Sequence, residues 1–261
     1  MSRLDDELAF AHELADLADA RTRAAFGGRQ DAEEKADGTW VTAVDLDVER
    51  RLRAAIRAHF PDHAVLGEED GLDGPPGAPT WVLDPIDGTT NFVKGNPVFA
   101  TLIGLRIDAE EVLGVVSAPA LGSRWAGVVG EGADHNGTPV HVSDVARLAE
   151  AEVAFGGLAY FAERGHGELV ADLAGRTARQ RGYGDFWQHC LVASGSTDVA
   201  IEAEVNLWDL VAVKALVEAA GGRFTSLAGE RTAAGGDALS SNGHLHDEVL
   251  AIVATHRTTA R

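Results

Sequence analysis

The order in which hydrophobic periodicities change along the chain limits its fold more than any single residue does. Leu4, Leu8, Ala11, Ala15 and Ala18 recur at helical spacing with acids between them, and Gly27 and Gly28 stop the run. A second stripe, Val48, Leu52, Ala55, Ile56 and Phe60, begins near Thr42 and ends at Pro61. The period then shortens. Short apolar runs at 64–67 and 81–83 flank residues 71–79, whose glycines and prolines predict a mobile loop without regular structure. Runs at 99–106, 111–118 and 124–130 favour a pleated surface and predict an antiparallel meander. Past a turn at Asn136-Gly137, strands and helices interleave: a strand at 153–155, helices near 168–179, 187–194 and 208–220, a strand at 223–227 and a closing helix at 247–256. The pattern predicts an α/β chain, an α+β layered sandwich, as a single domain over 1–261. Its approximate halves are 1–140, for metal and phosphate, and 141–261, for substrate choice.

A chain of 261 residues can bury roughly three quarters of its unfolded surface, so no external scaffold is required. With 22 basic against 41 acidic residues the formal net charge is −19, which opposes binding to nucleic acid or an anionic membrane and favours cationic clients. One cysteine, Cys190, excludes an intrachain disulfide or a thiolate zinc site and fits a reducing, cytoplasmic setting. The start lacks the pattern of a signal peptide, and no run approaches the length of a membrane span.

The most informative stretch is Trp81-Val-Leu-Asp-Pro-Ile-Asp-Gly-Thr-Thr-Asn-Phe92. Apolar residues lead into two acids three positions apart, with Pro85 narrowing the backbone between them and Gly88 permitting close approach. Asp84, Asp87 and the carbonyl of Ile86 offer the hard oxygen ligands that magnesium requires. Gly88, Thr89 and Thr90 offer backbone N–H groups that suit a phosphate if a helix starts there. An Asp-Gly turn after a buried strand is the competing explanation. Other acids have bland explanations when taken alone: Glu68 and Glu69 as a solvated cluster, Asp209 as a favourable charge in the first turn of a helix, and Asp45 as the partner of Thr42 in a capping box.

Taken together, Gly67-Glu68-Glu69, the block from Asp84 to Phe92, and Trp208-Asp209 running into Glu218-Ala-Ala-Gly-Gly222 resemble the inositol monophosphatase family in order and spacing. That resemblance spans nearly the whole chain. It implies alternating layers of helices and sheets, a homodimer, and hydrolysis of small phosphate monoesters with two or three magnesium ions. It further implies that Glu68, Asp84, Asp87, Asp209 and the Ile86 carbonyl are metal ligands, and that Thr89 and Asp45 orient and deprotonate the attacking water with Glu69 as support. Lys35 matches a lysine near the same loop.

Substrate residues are expected in the second half. Asp185 stands where inositol-type members have a small residue, and Glu202 matches the family's polyol-binding acid. Together they favour a substrate with a protonated amine and disfavour a second phosphate. The Tyr183-Gly-Asp-Phe186 block, with 117–121 and Arg124-Trp125, resembles the branch that hydrolyses histidinol phosphate in histidine biosynthesis. Arg181 is a candidate phosphate contact or a partner for Asp185, while Phe186 and Trp187 suit either an imidazole or the core. Thr89-Thr90 keeps the inositol-type form of the motif, so inositol phosphate or another sugar phosphate is the alternative, and a catalytically silent binding protein the third. Cys190 is expected to be a structural thiol, and His244 and His246 to cap helices or face solvent.

Overall fold

A computed structural model of the chain describes residues 4–28, 32–35 and 40–257. The first helix, Asp5–Ala25, and the second, Ala43–His59, bury the expected stripes, including Leu14, Ala18, Val48, Leu52 and Ile56. They pack side by side on one face of an eight-stranded sheet. In spatial order its strands are Thr138–Val140, Gly132–His135, Ser123–Val128, Glu110–Ala118, Ala100–Ile107, Thr80–Asp87, Ala64–Gly67 and Gly71–Asp73. Each neighbouring pair is antiparallel except Ala64–Gly67 beside Thr80–Asp87, which run parallel. The expected meander is present.

Against the other face lie the helices Asp185–Ala193 and Leu207–Ala219. Beyond them comes a five-stranded sheet in the order Arg179–Arg181, Glu152–Phe155, Val199–Glu202, Ala238–Ser241 and Arg223–Thr225. Helices Leu158–Glu163, Gly167–Arg176 and His246–Arg257 cover its outer side through Phe161, Leu169, Leu173 and Val249. Helix and sheet layers therefore alternate, and three apolar clusters fill the spaces between them.

Several expectations need correction. Gly71–Asp73 is not irregular: residues 68–70 make a short turn, and the chain folds back to pair antiparallel with Ala64–Gly67. Asn136 and Gly137, with φ of 53° and 75°, do form the expected turn, but it joins two strands that sequence pattern missed, Gly132–His135 and Thr138–Val140. The helix expected at 168–179 stops at Arg176, and Arg179–Arg181 forms an edge strand instead. His246 is buried at the start of the last helix, its ring bonded to Thr225 and Ser241.

The central helix Leu207–Ala219 sits unusually close to the first sheet because three strand positions lack side chains. A Cβ on Gly104 would lie 2.4 Å from Val211, one on Gly127 2.8 Å from Ala219, and one on Gly114 2.0 Å from the carbonyl oxygen of Ala212. This helix carries Asp209 in its first turn, so its seating sets where that acid goes. Gly114→Ala is expected to force helix and sheet apart, costing about 1–3 kcal/mol in urea unfolding, and to lower activity through displacement of Asp209. A variant with unchanged stability would contradict this account of the close approach.

Candidate active site

The strand Thr80–Asp87 is buried on both faces, with Trp81 and Leu83 in one apolar cluster and Val82 in the other. Residues three apart on a regular strand point to opposite faces. Here the register slips: Asp84 pairs with Leu102 and Asp87 with Ala100, so three steps on one strand match two on its neighbour. This bulge restores parity and turns both acids toward the central helices. From the opposite side Asp209 completes the group, and ligand oxygens of Asp84, Asp87 and Asp209 all lie within 4.8 Å of one another. Its Oδ2 also accepts the N–H of Asn206 at 2.7 Å, so the helix-capping role and the site role coexist.

Glu68 follows the strand Ala64–Gly67, whose parallel partner ends in Asp84 and Asp87, so the carboxyl ends of two adjacent parallel strands meet here. The Glu68 N–H bonds the Leu83 carbonyl at 3.2 Å, and the Asp84 carboxyl interacts electrostatically with those of Glu68 and Asp209. Lys35 bridges the turn, with Nζ 2.7 Å from Glu68 Oε1 and 2.8 Å from Glu69 Oε1.

Asp45 is fully buried and does what its capping-box spacing predicts, accepting from the Thr42 N–H at 2.9 Å through Oδ2. Its other oxygen lies 3.4 Å from the Thr89 hydroxyl, which is also 3.0 Å from the Ile86 carbonyl. Gly88, at φ 80°, breaks the strand so that the helix Thr89–Lys94 can start.

These groups open on a cavity of about 460 Å³ that Glu68, Asp84, Ile86, Asp87, Gly88, Thr89, Thr90, Asp185, Glu202 and Asp209 all line. Asp45 and Glu69 stand behind that wall. Among the described residues the lining holds seven carboxylates and no lysine or arginine. Burial pushes Asp45 up to about 6 despite its bonds from Thr42, and Asp209 up to about 7. Burial, then the neighbouring acids, hold Asp84 and Asp87 well above the usual carboxylate range. Crowded oxygen donors, with no lysine or arginine in the described lining, fit hard divalent cations.

A model of the inositol monophosphatase family matches residues 3–258. The chain belongs to that family. A histidinol-phosphatase of Mycobacterium tuberculosis is 45% identical over 251 residues, covering 94% of this chain and 96% of that one. Another, from Streptomyces coelicolor, is 43% identical over 256 residues, with the same 94% and 96% coverage. The solved structure of an inositol monophosphatase from Thermotoga maritima superimposes with a TM-score of 0.87 at 32% identity, covering 97% of this chain and 98% of that one.

Within this member of the inositol monophosphatase family, the second half contributes one wall of the cavity. Asp185 has φ of 49°, a left-handed conformation that aspartate tolerates better than most residues, and it opens the helix Asp185–Ala193. The next N–H, of Phe186, donates to Asp87 Oδ2 at 2.6 Å, while Asn91 Nδ2 donates to Asp185 Oδ2 at 3.2 Å. One backbone N–H and one side-chain amide thus lock the acidic turn against the strand end and the helix that follows it. Glu202 is buried, bonded to Gln188, and pressed against Gly156, and burial pushes its carboxyl well above the usual range.

Arg181 is not brought to this cavity. It is exposed on the edge strand, with its Nη1 on the Gln180 carbonyl 2.7 Å away. Phe186 is core and touches the cavity only at its base, while Trp187 packs edge-on against Tyr183. The aromatic side chains that do line the opening and stay exposed are Trp40 and Tyr160, at 38% and 44% exposure. Neither stands out in sequence, because an isolated exposed aromatic has no periodic signature. His189, buried and lowered to about 4, bonds Ser240 beneath the same wall.

The raised carboxyls fix a pH dependence. Unfolded aspartates ionise near pH 4, whereas folded Asp45 and Asp209 do so at about 6 and about 7. Between those values the folded chain holds more protons than the unfolded one, so stability falls as pH rises from about 4 through about 7. Thermal melts in chelator should be lower at pH 8 than at pH 5, and saturating divalent cation should flatten the difference. Equal melting temperatures in chelator would contradict it.

Proposed function

We propose that the chain hydrolyses histidinol phosphate to histidinol and inorganic phosphate, using magnesium held by Glu68, Asp84, Asp87, Asp209 and the Ile86 carbonyl. The observation that carries this reading is the charge of the cavity, seven carboxylates without a lysine or arginine among the described residues. A phosphate dianion cannot enter such a space without cations, and a second phosphate would meet only acids. Bound divalent ions, two or three by resemblance, supply neutralisation of phosphate oxygens and acidify water.

The chain's own groups supply position and proton transfer. The Thr89 hydroxyl, set between the Ile86 carbonyl and Asp45, orients the attacking water and passes its proton to Asp45. With its carboxyl held at about 6, Asp45 is a competent base near neutral pH. Glu69, bonded to Lys35, sustains the negative potential beside it. As the water oxygen bonds to phosphorus, the ester oxygen leaves with its electron pair and takes a proton from solvent. Gly88, Thr89 and Thr90 present the backbone of the strand-to-helix turn to the phosphate. Asp185 and Glu202 then face the alcohol portion of the ester, and the two acids favour its amine. The two relatives named histidinol-phosphatase, at 43% and 45% identity, support the same choice. A homodimer in the cytoplasm belongs to this reading through the resemblance and the single cysteine.

Inositol phosphate is the second reading, favoured by the Thr89-Thr90 pair and the fold match to an inositol monophosphatase. Phosphate release separates the two. Histidinol phosphate should be turned over well ahead of inositol 1-phosphate, and only with magnesium present. Asp185→Asn should raise KM for histidinol phosphate about tenfold, the equivalent of roughly 1.4 kcal/mol, with little change for inositol phosphate. Equal rates on both esters in the unmodified enzyme would remove the histidinol phosphate assignment.

A further inference from the structure

The second helix carries a buried ion pair that the chemistry above leaves unused. Glu49 lies one turn beyond Asp45 and is wholly buried, and Arg53 lies one turn further at 4% exposure. Arg53 Nε donates to Glu49 Oε1 at 2.8 Å. A buried pair of this kind is weak evidence for stability, because desolvation offsets much of the attraction. Its remaining bonds are more informative. Glu49 Oε2 accepts the N–H of Glu69 at 2.9 Å, and Oε1 accepts the N–H of Asp70 at 3.0 Å. The Arg53 guanidinium reaches the carbonyls of Val65 and Gly71, one on each strand flanking the turn. Acceptors and donors of one ion pair thus hold the backbone of the hairpin on which Glu68 and Glu69 sit.

Gly67 records how tightly the carboxylate is seated. Its backbone lies outside the left-handed region, so an alanine is conformationally acceptable there, yet a Cβ would lie 2.2 Å from Glu49 Oε1. The glycine is needed for the clamp and not for the turn. Glu68 comes to Asp84 from this turn, and beyond the bond of its own N–H to the Leu83 carbonyl no regular hydrogen-bond ladder holds residues 68–70. The outer contacts of the turn are the Lys35 bonds to the two side chains.

We propose that Glu49 is a positioning residue, which with Arg53 fixes the 68–70 turn so that the Glu68 carboxylate stands at the right place to share a divalent cation with Asp84. This rests on the assignment of Glu68 as a metal ligand. Groups that orient ligands from behind alter metal affinity or activity by about 10–100-fold when lost. Three variants test it: Glu49→Gln removes the charge, Glu49→Asp keeps the charge and withdraws it by a methylene, and Gly67→Ala displaces it without altering it.

Each full-length variant is melted across a magnesium titration, and phosphate release is measured over the same range. The expected result is a magnesium midpoint shifted upward by about tenfold or more in all three, in both readouts, with turnover near the unmodified level at saturating magnesium. Midpoints of Glu49→Asp and Gly67→Ala that match the unmodified enzyme, while Glu49→Gln alone shifts, would make the effect one of charge and overturn positioning. A fall in turnover at unchanged midpoint overturns it too, as does loss of the fold by all three variants in chelator, since the pair is then only structural. An unmodified enzyme whose melt and activity ignore magnesium overturns the metal assignment itself, which is a separate failure.

Discussion

The site depends on the close seating of the helix Leu207–Ala219 on a sheet that has glycine at three positions beneath it. Gly104, Gly114 and Gly127 let backbone meet backbone, and the first turn of that helix then delivers Asp209 to the end of the strand bearing Asp84 and Asp87. Acids at this spacing repel by roughly 4 kcal/mol per pair at 4 Å and an effective dielectric of 20. Local sequence preference cannot gather them against that cost. Layers on both sides can, because Val211, Ala212 and Leu216 pack with Val82, Leu102 and Val116 in one buried cluster. Burial first, and then the repulsion that remains, holds Asp84 and Asp87 above the usual carboxylate range.

What the sequence revealed follows the range of the interactions involved. Short-range patterns were legible: the two leading helices, the meander, the Asn136-Gly137 turn, and the Asp84–Asp87 block lie where periodicity and turn chemistry put them. Asp45 shows that a local and a distant role need not compete, since one carboxyl oxygen caps its helix and the other faces Thr89. Long-range features were hidden. Gly71 looked like loop because a three-residue turn and its return strand leave no alternating run to see. Arg181 looked like a phosphate contact because nothing local says that an edge strand will carry it away from the cavity. Trp40, Tyr160 and Gly156 acquire meaning only from what crosses over to them.

The bulge between Asp84 and Asp87 joins these two scales. Sequence shows acids three apart with a proline between them, an arrangement that in a straight strand would aim them at opposite layers. One extra residue in the register brings both to the same face. It also ends the strand, so that Gly88 and the helix Thr89–Lys94 can follow immediately and place Thr89 beside Ile86 and Asp45. A single irregularity therefore sets the face that the two acids share and the placement of Thr89 beside Asp45 at once.

The cavity's charge then constrains what can use it. Enzymes that bind phosphate through arginine or lysine retain affinity when cations are withdrawn, because their positive charge is covalent. Here the described lining offers none, and the Lys35 ammonium beside it is engaged by Glu68 and Glu69. Affinity for phosphate is consequently borrowed from mobile ions, and it extends only to the volume those ions reach. Beyond that volume the wall turns acidic again at Asp185 and Glu202. One anionic end and one cationic end on the same small molecule satisfy both regions, whereas a bisphosphate satisfies the first and is repelled by the second. On the proposed function, the charge pattern that calls for cations beside the phosphate is thus the same pattern that would select the alcohol attached to it.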